Sequence, residues 1–133
     1  MILLNIDVPD LAAAERFYVE AFGLTVGRRF KGFVEILGWP VPLYLLRQEP
    51  GTIGAGSQAR SYERHWTPVH ADVVVTDIDA ATARAARAGA RVENGPQAAA
   101  FGRIACLADP FGNGFCLIEF SARGYDALDE RPC

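Results

Sequence analysis

Residues 4–11, Leu4-Asn5-Ile6-Asp7-Val8-Pro9-Asp10-Leu11, and residues 71–78, Ala71-Asp72-Val73-Val74-Val75-Thr76-Asp77-Ile78, carry one pattern twice, 67 residues apart. In each, apolar side chains at alternate positions (Leu4, Ile6, Val8 and Ala71, Val73, Val75) mark one face of a strand. An Asp then precedes an apolar residue, and a carboxylate at that point can accept the free N–H groups of a helix's first turn. A strand running into a capped helix, repeated at a fixed offset, is most economically an internal duplication.

Outward from the first copy, Asp10 caps a helix whose apolar side is Leu11, Ala14, Phe17, Tyr18 and Phe22, and Gly23 closes it. Residues 25–30, 33–37 and 42–47, punctuated by Gly32, Gly38 and Pro40, predict three short strands. From the second copy, Asp77 or Asp79 caps an Ala-rich helix ending near Gly89, and residues 90–92 begin the next strand. Residues 103–108 and 115–120 predict a hairpin around Asp109-Pro110-Phe111-Gly112-Asn113-Gly114. The expected architecture is one α+β domain of two tandem βαβββ modules. Module one is 1–48, a surface linker without apolar periodicity is 49–65, module two is 66–120, and 121–133 is a polar, peripheral tail.

Composition excludes several classes. A chain of 133 residues, 50% hydrophobic and 22% charged, has enough apolar material for one real core. Its net charge of -3 and scattered cations provide no basic stripe for a nucleic-acid backbone. The opening Met-Ile-Leu-Leu-Asn-Ile-Asp meets an acidic residue too early for a signal peptide, and no apolar run approaches bilayer length. A cytoplasmic protein is the expectation. Cys106, Cys116 and Cys133 form no CxxC pair and are odd in number, which fits a reducing compartment. The last hairpin makes Cys106 and Cys116 neighbours, but their strand parity is read as placing them on opposite faces, which argues against a disulfide.

Taken together, these features resemble the glyoxalase, bleomycin-resistance and dioxygenase (vicinal oxygen chelate) superfamily. The resemblance is carried by Val8-Pro9-Asp10-Leu11, Arg16-Phe17-Tyr18 and Phe22-Gly23-Leu24 in module one. Module two adds His70, Asp77-Ile78-Asp79-Ala80-Ala81, Ala88-Gly89-Ala90 and Asp109-Pro110-Phe111-Gly112-Asn113, so that it spans residues 1–120. It implies a curled, cup-like mixed sheet with helices outside, and in many members a homodimer.

The resemblance also implies a divalent metal in the cup, held by His and Glu or Gln on the first and last strands of each module. Here those first-strand positions are Leu3 and His70. The closing-strand position is Cys116 in module two, and module one offers only Tyr44 nearby. His70 is thus the one good ligand candidate, and a standard complete metal site is not expected; a divalent metal would need Cys116 as thiolate, favouring zinc, or Glu119 through a register shift. Without that shift Glu119 points to the other face.

Strand alternation gives a second, independent reading of the cup. If Leu4, Ile6 and Val8 pack on the helix, then Leu3, Asn5 and Asp7 face the cup, as do His70, Asp72, Val74 and Thr76. The 67-residue offset sets Asn5 against Asp72, two short polar groups at matched depth, suited to a small-molecule cavity or to satisfying backbone and water. His70 could be a metal ligand, a general base oriented by Asp72, a binding group, or a residue with no chemistry. His65 is read as an exposed or entrance residue. Cys116 could be a nucleophile, but its apolar strand favours packing. Arg103 could pair with an anionic ligand or with surface carboxylates. Phe30, Trp39, Tyr44, Trp66, Phe101 and Phe111 could stack on a planar ligand, with ordinary packing the alternative for at least half.

The expected ligand-binding set is Asn5, Asp7, Tyr44, His70, Asp72, Cys116 and Arg103, with His70 and Asp72 as a catalytic pair if there is catalysis. Three functions compete. One is a metal-independent protein that binds a small organic molecule, as drug-sequestering relatives do. Another is a lyase, isomerase or dioxygenase using His70 as metal ligand or base. The third is a scaffold dimer, favoured if side chains fill the cup. Glyoxalase I chemistry and extradiol ring cleavage are disfavoured, since each depends on a complete ligand set.

Overall fold

The computed structural model describes residues 1–131. Module one runs β1 (Leu4–Val8), α1 (Leu11–Phe22), β2 (Thr25–Phe30), β3 (Phe33–Leu37) and β4 (Leu43–Arg47). After a small hairpin, β5 (Ile53–Ala55) and β6 (Gln58–Ala59), module two runs β7 (Ala71–Val74), α2 (Ile78–Ala88), β8 (Arg91–Ala99), β9 (Gly102–Ala108) and β10 (Gly114–Phe120). The duplication is therefore real at the level of topology. The sheets have matching orders, β1-β4-β3-β2 and β7-β10-β9-β8, with the first and last strands of each module parallel.

The caps fall where the repeated Asp residues require them. Asp10 accepts from Ala13 N and Asp77 from Ala80 N, each at 3.0 Å. Gly23 ends α1 in the left-handed region at φ 66°, a conformation that costs a side-chain-bearing residue a steric clash. Along α1 the residues at helical spacing, Ala14, Phe17, Tyr18 and Ala21, are buried. They meet the apolar faces of the strands, Val8, Val34, Ile36, Leu43 and Leu45, in a core that continues through Ile78, Ala85, Leu107 and Leu117 of module two. Each of these larger side chains contributes about 1.5–3 kcal/mol on burial.

The modules meet through their helices. Arg84 Nε on α2 donates to the Glu20 carbonyl at 2.6 Å, and the Phe22 ring packs 5.2 Å from Phe115. The Tyr18 hydroxyl donates to Asp109 Oδ2 at 2.6 Å. Burial first, then the charge of Asp109, raises the Tyr18 pKa well above its ordinary value, so the hydroxyl stays a donor. Asp109 also accepts from Phe111 N and Asn113 N, both at 2.8 Å, and from Asn113 Nδ2 at 2.9 Å. The turn that was legible as a hairpin signal is thus also the joint between modules.

Three expectations change. The segment read as a featureless linker contains the β5–β6 hairpin and sends Arg60 and Tyr62 back onto the modules. The tail holds a short 3₁₀ helix, Gly124–Leu128, whose Tyr125 packs edge-on against Phe101 and Phe120. Finally, Cys106 and Cys116 are directly opposite in the β9–β10 ladder and share a face, their sulfurs 3.7 Å apart. Directly paired residues of an antiparallel ladder always point the same way, so the opposite-face reading was wrong. Cys133 lies outside the described residues.

Candidate functional site

The edges of β1 and β7 face each other without pairing, and between them lies a cavity of about 490 Å³. Its apolar wall includes Leu4, Ile6, Phe22, Trp39, Val73 and Phe115. Its polar groups include Asn5, Asp7, Arg60, Tyr62 and His70. Arg60 Nε donates to Asp7 Oδ2 at 2.8 Å, while its Nη1 donates to the Ile53 carbonyl at 2.8 Å, so the linker hairpin is braced against β1. The Tyr62 hydroxyl donates to the Gln48 carbonyl at 2.7 Å. Close packing of the linker on the last turn needs Gly112, since a Cβ there would sit 2.4 Å from the Tyr62 carbonyl oxygen.

Beside the cavity, each sheet carries a polar row on the face turned away from the helices. In module one, Asn5 is opposite Tyr44 and Tyr44 is opposite Glu35. The Tyr44 hydroxyl donates to Glu35 Oε2 at 2.8 Å, and Arg28 donates to Glu35 Oε2 at 2.6 Å and Oε1 at 3.1 Å. The Arg28 hydrogen bonds above all, then that of Tyr44, hold the Glu35 carboxyl at about 2, well below its ordinary value. In module two, Asp72 is opposite Cys116, and Cys116 is opposite Cys106. His70 Nε2 lies 3.1 Å from Asp72 Oδ1. Burial first, then the Cys106 thiol and the Asp72 carboxylate, push the Cys116 thiol up to about 12.

The structure therefore brings together six of the seven expected ligand-binding residues, three at the cavity (Asn5, Asp7, His70) and three on the adjoining rows (Tyr44, Asp72, Cys116). It does not bring in Arg103. That residue pairs with Glu119 across β9 and β10, on the helix side, and both its terminal nitrogens are taken by Asp79 at 2.7 and 2.9 Å. Glu119 accepts the Ile78 N–H at 2.7 Å at the start of α2, which removes the register-shifted ligand. Of the expected aromatics only Trp39 lines the cavity: Phe30 stacks on Phe33, Phe111 is core, and Trp66 is exposed. Tyr18, Phe22, Tyr62 and Phe115 line it instead. The helix periodicity that made Tyr18 and Phe22 core also places them at the cavity wall. Arg28, Glu35 and Arg60 carried no signal before strand register was known.

Among the described residues, the metal that the resemblance implies finds no two-module ligand set. Leu3 stands where module one needs a ligand, and Tyr44 is engaged by Glu35 and Arg28. Module two alone gathers His70, Asp72 and Cys116, with one donor atom from each within 4.8 Å of the others. One imidazole, one carboxylate and one thiol do not fit the oxygen-rich preference of manganese or the carboxylate and imidazole set of non-heme iron.

Two α+β modules of identical topology around a shared cavity define a paired-module protein of the vicinal oxygen chelate type. The chain belongs to the glyoxalase-like domain family, whose model matches residues 3–118. Among solved structures, it is similar to a glyoxalase/bleomycin resistance protein/dioxygenase family enzyme from Burkholderia phytofirmans PsJN, with 19% identity, a TM-score of 0.70, and 90% of this chain and 97% of that one covered. It is also similar to the fosfomycin resistance protein FosX from Listeria monocytogenes, with 16% identity, a TM-score of 0.71, and coverage of 92% and 94%. A mutant of that protein forms a complex with Mn(II) and 1S,2S-dihydroxypropylphosphonic acid. A third, TnmS3, an antibiotic binding protein from Streptomyces sp. CB03234, is 25% identical with a TM-score of 0.59 over 91% of this chain and 97% of that one. No curated protein matches the sequence.

Proposed function

We propose that this protein binds a small, partly aromatic organic molecule in the cavity between β1 and β7, without a standard two-module metal centre. The observation that carries this reading is the cavity itself: about 490 Å³, with aromatic and aliphatic walls and a few polar groups converging from Asn5, Asp7, Arg60 and His70. That volume and lining match small-molecule sites in general. The antibiotic-binding relative TnmS3 supports it by analogy of fold.

Trp39 lines the cavity, whereas Trp66 is 80% exposed, so a bound aromatic compound changes Trp39 emission. A panel of drug-sized aromatic compounds titrated against the protein should yield at least one saturable, one-to-one fluorescence change. Ala71→Leu, which puts bulk into the cavity, should abolish it; hits that bind Ala71→Leu equally well would overturn the reading.

A second reading rests on the His70–Asp72 contact at 3.1 Å. In a lyase or isomerase, His70 would take the proton and Asp72 would orient the ring. Turnover of a bound carbonyl compound that survives His70→Ala would remove it.

A homodimer belongs to the same proposal, since Leu3, Phe30, Leu37 and Val74 expose apolar surface. A monomeric mass by light scattering would refute it. Among the described residues no helix is long and apolar enough to cross a membrane, and a cytoplasmic location without nucleic-acid partners is part of the reading, supported by the free thiols of Cys106 and Cys116 and the net charge of -3.

A further inference from the structure

Neither the organic-ligand reading nor the proton-transfer reading uses the pair Cys106 and Cys116. Both thiols are free and half-buried, and they stand directly opposite each other on β9 and β10. The backbone shows which kind of rung they occupy. Asp109 N donates to the Asn113 carbonyl near one end of this hairpin, and Ser121 N donates to the Phe101 carbonyl at the other. Hydrogen-bonded and non-hydrogen-bonded pairs alternate along an antiparallel ladder, and Cys106 lies three residues from Asp109 and five from Phe101, an odd number from each. The cysteines therefore form a non-hydrogen-bonded pair, the kind that brings opposing α-carbons to about 4.5 Å and their side chains closest together. That spacing falls inside the range a disulfide spans, about 4.4–6.8 Å. The sulfurs are 3.7 Å apart, so they need to close by about 1.7 Å to reach the bonding distance of about 2.05 Å.

We propose that Cys106 and Cys116 are a reversible thiol–disulfide site, oxidised to one intramolecular disulfide by low-molecular-weight disulfides such as oxidised glutathione. The exchange runs in two steps. The Cys106 thiolate attacks one sulfur of the small disulfide, forming a mixed disulfide and releasing one small thiol. Cys116, as thiolate, then attacks the Cys106 sulfur, closing the protein disulfide and releasing the second small thiol. The two protons lost by the cysteines end on the two released thiols, and two electrons pass from the protein sulfurs to the small disulfide. The order follows from the surroundings of Cys116. Burial, with Cys106 and Asp72 beside it, pushes that thiol up to about 12, which disfavours it as the opening nucleophile. As the second nucleophile it already lies against its target, and proximity offsets a low thiolate fraction. In a reducing compartment such a bond is transient, the behaviour of a redox-responsive pair and not of a structural one. While it lasts, both thiols are withdrawn from the row that Asp72 faces, beside His70.

The test uses the full, reduced chain carrying Cys133→Ser, so that Cys106 and Cys116 are the remaining thiols. The protein is equilibrated with oxidised glutathione, quenched in acid, alkylated and weighed by mass spectrometry. Both thiols should be lost together, leaving a monomeric chain lighter by two hydrogens. Cleavage of the unfolded product after Phe111, between the two cysteines, should give fragments that stay joined until dithiothreitol is added. Cys116→Ser should stop at a glutathione adduct on Cys106, and Cys106→Ser should form its adduct slower on the order of tenfold.

A parent chain that keeps both thiols open to alkylation would overturn the proposal. So would one that stops at a stable glutathione adduct, or that links to a second chain. Equal adduct rates in the two Ser variants would overturn Cys106 as the opening thiol. The fragment test on the parent chain needs neither of those variants, so it decides the site even where a Ser substitution prevents folding.

Discussion

The two polar rows invite a rung-by-rung comparison. Both start on the first strand of a module, at Asn5 and Asp72, and cross to the last strand, at Tyr44 and Cys116. Both reach the next strand at Glu35 and Cys106. In module one the rungs satisfy one another, because the Glu35 carboxylate is closed off by Arg28 and Tyr44. In module two the same ladder carries two thiols, a carboxylate and an imidazole whose mutual contacts leave donor capacity open. The duplicated backbone thus carries a closed ionic unit in one half and a row of thiol, carboxylate and imidazole groups in the other. A fold-level match says little about which half does what; the residues on the rungs decide it.

The comparison depends on the halves being held together, and its most disruptive test is at their joint. Asp109→Ala removes the acceptor for Tyr18, Phe111 N, Asn113 N and the Asn113 side chain. Unfolding in urea should show a loss of about 3 kcal/mol or more, from several buried donors left unpaired. A loss below about 1 kcal/mol would mean that the helices alone fix the two rows.

Next in size is an acid effect confined to module one. Because Arg28 and Tyr44 hold Glu35 at about 2 against an ordinary 4.5, its contribution to stability is complete above about 4.5 and is lost as pH falls toward 2. Glu35→Gln should lower the urea midpoint at neutral pH and flatten its fall across that window. Parallel profiles for the two proteins would show that the row is not a closed ionic unit.

The smallest effect is expected on the matching rung of module two. Cys106→Ser should change stability by less than about 1 kcal/mol in reduced protein, since no buried charge depends on that thiol. A larger loss would make the second row structural as well, and erase the contrast.

Much of the fold was legible because its signals are local. The repeated strand-to-helix stretch, the Asp caps and the Asp109-to-Gly114 turn each declare themselves within a few residues. Local alternation also singled out Asn5, Asp7 and His70, which line the cavity, but Leu4, Ile6, Ala71 and Val73, which it assigned to the helix face, line it as well, and Asp72 does not. What failed to show was set by register between distant strands. Glu35 becomes the partner of Tyr44, and Cys106 of Cys116, only once the ladders are aligned. Arg60 and Tyr62 were hidden for another reason: a Gly- and Ser-rich segment gives no periodicity from which inward-facing side chains could be picked out.

The β5–β6 hairpin has a bearing on ancestry. It is exposed at Gly56 and Ser57, and neither strand pairs with a module's sheet. Among the described residues the halves are united directly at Tyr18 with Asp109, Arg84 with Glu20 and Phe22 with Phe115. A chain nicked at Gly56 keeps all of those contacts, so its two pieces retain the means to find each other as separate polypeptides. That is the arrangement a single-module forebear needed in order to associate with its own copy before the two were fused in one reading frame.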